Sequence, residues 1–464
     1  MKTKFVVLFL LSLLAGILSQ FLLGFTIQQS FIIAIFTTSI FGTLFFWEFR
    51  VGFVFIGSGI MLLIHAVDLE EFVKHASLDV VWFLVGMMII LAMLKEAGVF
   101  YYLTTKLLRL KNLTGEKLFL ILTLLSWLLS GLMDEVTSII LVATVIFSLC
   151  DFLEVSPIPL LISSIMTTNI GSASTVLGNP IGVLIAIRGK LSFEDFIAYS
   201  LPVTIVCVVT TIIILRTIYK NYISQLTQKL KVHTESSEFI YLISTPMEKK
   251  TKISICLFIL TVLLIAIHRR LELLLSLQEN TVLVITPIII AGIVLIVNHD
   301  KALKYIEHEV EWNSLLFFLF LFAQAGVLQS SGIAKKIAEI IVGMSNSTQT
   351  LLPLSDKLNL GLLFSSGFLS SILDNVVVVS SYIPVVFNLH RTISAETSTF
   401  WWAILFGGCF GGNITLIGST ANIIALGMLE KKYNTKIKFF DWIKVGIIVG
   451  LATMIISYLF LILY

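Results

Sequence analysis

Two short runs place carboxylates inside otherwise apolar stretches. Asp134 and Glu135 sit in Ser130-Gly-Leu-Met-Asp-Glu-Val-Thr137, and Asp374 sits in Ser370-Ser-Ile-Leu-Asp-Asn-Val376. An ionisable side chain inside a membrane-length apolar segment is costly to bury, and such residues mark ion or proton pathways. Asp is also a favoured helix N-cap, and Glu135 in the following turn suits the helix dipole. Capping leaves carboxylate lone pairs free, so one side chain can both cap and bind. Asp134, Glu135 and Asp374 are therefore candidate ligands for a coupling cation, sodium or proton. Ser130, Thr137, Ser370 and Asn375 are candidate neutral oxygen donors beside them.

Two further polar breaks accompany these tips. The first reads Gly171-Ser-Ala-Ser-Thr-Val-Leu-Gly-Asn-Pro180, and the second reads Gly407-Gly-Cys-Phe-Gly-Gly-Asn-Ile-Thr-Leu-Ile-Gly-Ser-Thr420. Asn179 before Pro180 has the signature of an N-cap with proline at the first helical position. Asn169, Ser172, Ser174, Thr175 and Asn179 in the first break, and Gly412, Asn413, Thr415, Ser419, Thr420 and Asn422 in the second, are the candidate substrate- and ion-binding residues. Unwound backbone at membrane depth survives only when buried in protein or lining a wet cavity. Both breaks are therefore expected to be discontinuous helices around a site.

The elements that position these groups follow from the rest of the chain. It has 464 residues, 57% hydrophobic and 13% charged, against about 25% charged in soluble domains. Lipid is thus its main solvent. Apolar spans are expected near 5–24, 31–46, 51–66, 80–96, 197–218, 252–268, 281–297, 313–330 and 443–463. With a re-entrant hairpin and a broken helix in each half, this makes an all-α polytopic protein of about 11 spans. The division expected is an extra N-terminal span over 1–30, a first repeat over 31–219, a cytoplasmic solvated connector over 220–251, and a second repeat over 252–464.

The repeat is visible by eye. Residues 130–140 match 370–380, and 174–186 match 414–426, both at an offset of 240; residues from 79 and from 95 match those from 313 and 329 at an offset of 234. Counting Lys and Arg by loop puts Lys2, Lys4, Lys106, Arg109, Lys111, Lys117, Lys431, Lys432, Lys436 and Lys438 inside, and Arg188, Lys190, Lys335 and Lys336 outside. The halves are then inverted, with the amino terminus cytoplasmic, the carboxyl terminus outside and the cell membrane as location. Segments 101–110 and 333–341 read as interfacial amphipathic helices. His65, His268, Trp401 and Trp402 read as interfacial anchors. Inverted repeats with broken helices place binding near the midplane.

Several classes are excluded. The net charge of +3 is spread over loops, so no nucleic-acid partner is expected. Cys150, Cys207, Cys256 and Cys409 have no CxxC spacing and read as apolar packing residues. No HExxH or nucleophile–base arrangement points to an enzyme, and no resident cofactor is expected beyond sodium or a proton.

At these motifs the chain resembles the ion transporter superfamily, in its branch of arsenite permeases, sodium/proton antiporters and melanosomal P proteins with a citrate-transporter-like domain. The resemblance runs over roughly residues 75–464. The second half fits closely, with Leu373-Asp-Asn375 and Gly411-Gly-Asn-Ile-Thr-Leu-Ile-Gly-Ser-Thr-Ala-Asn422. The first half departs: Glu135 stands where the branch has Asn, Asn179 where it has Asp, and Ile181-Gly182 where it has Pro-Asn. The resemblance implies a moving transport domain on a scaffold and a homodimer. The expected function is ion-coupled transport of a small inorganic ion or small anion. An uncoupled channel and a sodium-coupled carboxylate transporter are the alternatives.

Overall fold

The computed structural model describes residues 2–99, 102, 113–233, 249–347, 352–393 and 399–463. Among these the chain is helical, with no strand. It opens with α1 (Lys2–Leu23), α2 (Ile27–Phe45), α3 (Arg50–Leu63), α4 (Leu69–His75) and α5 (Leu78–Glu96). Then come α6 (Gly115–Leu132), α7 (Glu135–Leu153), α8 (Ile158–Gly171), α9 (Pro180–Gly189), α10 (Leu201–Ile218) and α11 (Lys220–His233). After α12 (Lys249–Ala266), α13 (His268–Leu275) and α14 (Thr281–Val297) follow α15 (Trp312–Ser330), α16 (Ile333–Ser347), α17 (Leu354–Ser370) and α18 (Asn375–Ile393). The chain ends with α19 (Thr399–Gly411), α20 (Thr420–Tyr433) and α21 (Phe439–Leu463). Among the described residues eight helices, counting α10 with the turns that lead into it, are long and apolar enough to cross a bilayer, or up to ten with two bent pairs. Phe9, Phe21, Ile213, Leu263, Ile289 and Leu463 lie exposed on them. Exposed apolar faces of this extent suit acyl chains rather than water. The chain is an integral, multi-pass membrane protein.

Helix boundaries repeat along the chain. Adding 234 to the bounds of α5 gives 312–330, the bounds of α15, and adding 240 to the starts of α7 and α9 gives 375 and 420, the starts of α18 and α20. The end of α8, 171, becomes 411, the end of α19. The expected breaks at 172–179 and 412–419 are therefore real interruptions, each between two helices of 10 to 14 residues. The hairpin arms α6 and α7 are longer than expected for a re-entrant excursion, at 18 and 19 residues.

α5 and α15 run in opposite directions. Lys95, near the end of α5, pairs with Glu309, just before α15, at 2.8 Å. At the other end His75, before α5, packs on Gly326, in the late turns of α15. Packing elsewhere crosses between the halves, with α9 against α18 and α20 against α7. Close backbone approach fixes both hairpins on their broken helices. A Cβ on Gly171 would strike the backbone of Trp127, and one on Gly411 would strike that of Gly367; both pairs again differ by 240.

Three expectations change here. Residues 220–233 form α11, which buries Ile223, Leu226 and Leu230 and caps the Gly115 N–H with the Thr227 hydroxyl at 3.0 Å. The start of the connector is thus a packed amphipathic helix, because apolar residues recur every three or four positions. Trp401 and Trp402 are buried against Phe387 and Phe196 instead of forming a belt. His268 is buried, with Nδ1 at 2.8 Å from the Ile265 carbonyl. Segment 101–110, apart from Tyr102, with Lys106, Arg109 and Lys111, lies outside the described residues, as does 234–248 of the connector.

Candidate ion- and substrate-binding site

The two hairpin tips and two helix breaks meet at one place. Asp134 caps α7, accepting from the Val136 N–H at 2.8 Å and the Thr137 N–H at 3.3 Å, while the Thr137 hydroxyl donates to its other oxygen. Asp374 caps α18 the same way, accepting from the Val376 N–H at 3.0 Å. Val377 stands where the first tip has Thr137, so Asp374 takes its second partner from the break: the Thr420 hydroxyl donates to it at 2.6 Å. Asp134 is thus satisfied within its own tip, whereas Asp374 ties its tip to the start of α20.

Glu135 joins the halves. It is 4% exposed, and its Oε1 accepts from Asn375 Nδ2 at 3.1 Å and from the Ser419 hydroxyl at 3.3 Å. Its Oε2 is buried with no partner, as is Asn375 Oδ1. The second junction is a cluster of amides. Asn169 Nδ2 donates to Asn413 Oδ1 at 2.8 Å and to Asn422 Oδ1 at 2.9 Å. Asn422 Nδ2 in turn donates to the carbonyls of Gly412 and Thr415, and Asn413 Nδ2 to that of Met166. Asn169 Oδ1 is a further buried oxygen without a partner. Buried polar oxygens are paired in the great majority of cases. Among the described residues the first junction thus leaves two acceptors open and the amide cluster one.

Other predicted residues serve as braces. Ser130 and Ser370 donate to the carbonyls of Thr168 and Gly408 at 2.7 and 2.6 Å. Thr175 and Thr415 donate to those of Gly131 and Ser371. Each pair lies at an offset of 240, so the bracing is the same in both halves. Asn179 caps α9 through the Gly182 N–H at 2.7 Å, and its Nδ2 donates to the Ser172 hydroxyl at 3.0 Å. Ser172 donates to the Asn169 carbonyl, and Ser174 to the Thr204 hydroxyl on α10.

A small chamber of about 50 Å³ opens on this junction, lined by Asp134, Glu135, Asn179, Asn375 and Thr420. At roughly 10–15 Å³ per water-sized sphere, it admits a few waters or an ion with part of its shell. Its far wall holds three residues that the sequence reading missed: Arg50, Glu311 and Ser314. Arg50 directly precedes an apolar run, and that position reads as a span end; its burial comes from α3 packing on α15.

Two larger cavities lie at opposite ends of the α5/α15 pair. One, of about 180 Å³, is lined by Lys95, Thr137, His308 and Glu309 and shares Met88, Leu91, Asp134 and Glu311 with the chamber. The other, of about 70 Å³, is lined by His75, Ser77, Arg188, Gln329 and Ser380. Their linings correspond: His75, Ser77 and Lys95 become 309, 311 and 329 on adding 234, which are Glu309, Glu311 and Gln329. The first cavity reaches a tip carboxylate. The second includes neither Asp134 nor Asp374, and Arg188 donates across it to the Ser77 hydroxyl at 2.5 Å.

The model of the citrate transporter family, CitMHS, matches residues 43–407 and again 354–464. The chain belongs to that family. An uncharacterized transporter of Mycobacterium tuberculosis (strain CDC 1551 / Oshkosh) is 27% identical over 390 residues, covering 82% of this chain and 85% of that protein. The human P protein is 25% identical over 456 residues, covering 82% of this chain and 52% of its own length. Among solved structures, the Alcanivorax borkumensis YdaH transporter superposes with a TM-score of 0.55 at 16% identity, covering 87% of this chain and 88% of that one. This last likeness is one of fold. With its family and its apolar helices, the chain is a membrane transporter.

Proposed function

We propose that this family member is a cation-coupled secondary transporter of a small ion, working by alternating exposure of the central chamber. Two corresponding cavities at opposite ends of one antiparallel helix pair carry this reading, because only one of them communicates with the carboxylates. A channel requires a route open at both ends, whereas a carrier requires one end shut. The halves act as inverted repeats: exchanging their conformations would close the end lined by Glu309 and open the end lined by Arg188. The coupling cation, sodium or proton, sits at Glu135, Asn375 and Asp374, with Asp134 at the mouth. The amide cluster of Asn169, Asn413 and Asn422 holds the two breaks together around it. A homodimer in the cell membrane, with a cytoplasmic amino terminus, is the expected assembly.

Reconstituted protein tests this directly. Uptake into proteoliposomes should follow an imposed sodium or proton gradient and collapse when that gradient is removed. Flux indifferent to the gradient, with unitary currents in planar bilayers, would instead identify a channel.

A further inference from the structure

A cavity of about 480 Å³ lies away from the chamber, between the α1–α2 hairpin and the pair α16 and α18. Along α1 its lining runs from Ala15 to Leu23, about 12 Å of helix rise. The hydrocarbon of one leaflet is about 15 Å deep, so the cavity extends over most of a leaflet. Ile333, Ile337 and Ile341, four apart on one face of α16, line it from the second half. Ser381, Tyr382 and Val385 line it from α18.

The lining offers water little. Its hydroxyls are engaged inside the protein: Ser19 donates to the Gly16 carbonyl at 2.7 Å, Ser381 to that of Val377 at 2.7 Å, and Tyr382 to the Ser365 hydroxyl at 2.8 Å. A cavity so lined stays dry or takes an apolar guest. Leu18, Leu22 and Leu23 both line it and lie exposed, so it is continuous with the lipid-facing surface.

The rim has a different chemistry. Lys336 precedes Ile337, and its ammonium donates to the Gly24 carbonyl. That ammonium lies 5.0 Å from the centre of the Phe25 ring, which is itself part of the lining. A second tie crosses the same rim, where Gln29 Nε2 donates to the Ser331 carbonyl at 2.9 Å. Lys335 faces Glu339 at 4.0 Å, which leaves Lys336 as the cation beside the cavity. An ammonium has three donors, and the Gly24 carbonyl takes one of them.

We propose that this cavity is a lipid site: one acyl chain of an anionic phospholipid lies against α1, α16 and α18, with its phosphate on Lys336. The two parts of the ligand answer to the two chemistries of the site. Dry walls of leaflet depth suit hydrocarbon, and a lysine at their rim suits an anionic headgroup. The lipid also touches the transport machinery, because α18 starts at Asn375, which bonds Glu135 in the chamber. It packs on the helix that carries the second tip.

The test uses full-length protein in detergent. Native mass spectrometry reads the lipid retained, and thermal unfolding reads the response to added phosphatidylglycerol, phosphatidylcholine of the same chains, and a fatty alcohol. Wild type should retain phosphatidylglycerol and respond to it at lower concentration than to the other two. Ile337→Trp fills the cavity; it should lose the retained lipid and raise the half-maximal concentration by about tenfold or more, the scale of two or more buried methylenes. Lys336→Gln keeps the cavity and removes the charge, so its response to phosphatidylglycerol should fall to the level of phosphatidylcholine, again by about tenfold. Equal wild-type responses to the three additives would overturn the proposal, as would a response unchanged in Ile337→Trp. So would a wild-type dimer that retains no lipid and that Ile337→Trp turns into a monomer, which would make the cavity a seam between two copies. Should Ile337→Trp fail to fold, Val385→Phe narrows the same cavity from α18, and Lys336→Gln decides on the headgroup alone.

Discussion

The hairpin tips of the two halves share a backbone and differ in chemistry. Both begin a helix with a capping aspartate, both are braced by a serine and a threonine on equivalent carbonyls, and both are pinned by a glycine against the facing helix. Yet position two of the tip is Glu135 in one and Asn375 in the other, and these two side chains meet at 3.1 Å. A duplicated fold therefore delivers its two copies of one position to a single point, where identical residues would repel or leave no charge. Divergence at that pair lets one site be built from both halves. The amide cluster follows the same logic: Asn169, Asn413 and Asn422 correspond to Cys409, Ala173 and Gly182, so each half supplies groups that the other lacks.

The largest effect is expected from removing the charge at the shared point. Glu135→Gln should weaken cation binding by about ten- to a hundredfold, the equivalent of roughly 1.5–3 kcal/mol for a contact to a charged group. The exchange Glu135→Asn with Asn375→Glu should recover most of that loss, because the pair is only turned round. Ion-dependent uptake of the single and double variants forms a cycle whose coupling energy measures the pair.

Asn169→Ala comes next. It strips partners from Asn413 Oδ1 and Asn422 Oδ1, and each buried acceptor left open costs about 1–3 kcal/mol. Thermal unfolding should fall sharply, and more than for Cys409→Ala at the equivalent position. Equal losses would mean that the cluster holds nothing together.

The aspartates should then separate. Asp134→Asn keeps an N-cap and should leave unfolding within about 1 kcal/mol of wild type. Asp374→Asn also keeps its cap but alters the acceptor of the Thr420 hydroxyl, so it should perturb cation binding more than Asp134→Asn does. Sodium titration by thermal shift ranks the two.

The smallest effects belong to the braces. Ser130→Ala and Ser370→Ala each remove one hydroxyl-to-carbonyl bond, worth about 1 kcal/mol. They should match each other in thermal unfolding and leave coupling intact, and a large difference between them would show that the bracing is not duplicated after all.

Much of this was legible from residue order. The offset of 240 located both tips and both breaks, because interruptions by Gly, Asn and Ser in apolar helices have few other causes. Asp134 and Asn179 were readable as caps for the same reason. Arg50 was not, since an arginine at the head of an apolar run looks like an interfacial anchor, and only the packing of α3 on α15 buries it. The contact between Glu135 and Asn375 was hidden too: sequence shows that the two positions correspond, while their meeting depends on how the starts of α7 and α18 are packed together. Trp401 and Trp402 misled because an aromatic pair suits a membrane belt and a packed core equally well.

One measurement bears most directly on a cation site shared by both halves. Sodium- or proton-driven uptake should be followed in proteoliposomes containing wild type, Glu135→Gln, or the exchanged Glu135→Asn/Asn375→Glu pair. The account predicts that uptake and its ion dependence are lost in Glu135→Gln and return in the exchanged pair. Ion-dependent uptake that survives in Glu135→Gln would contradict it.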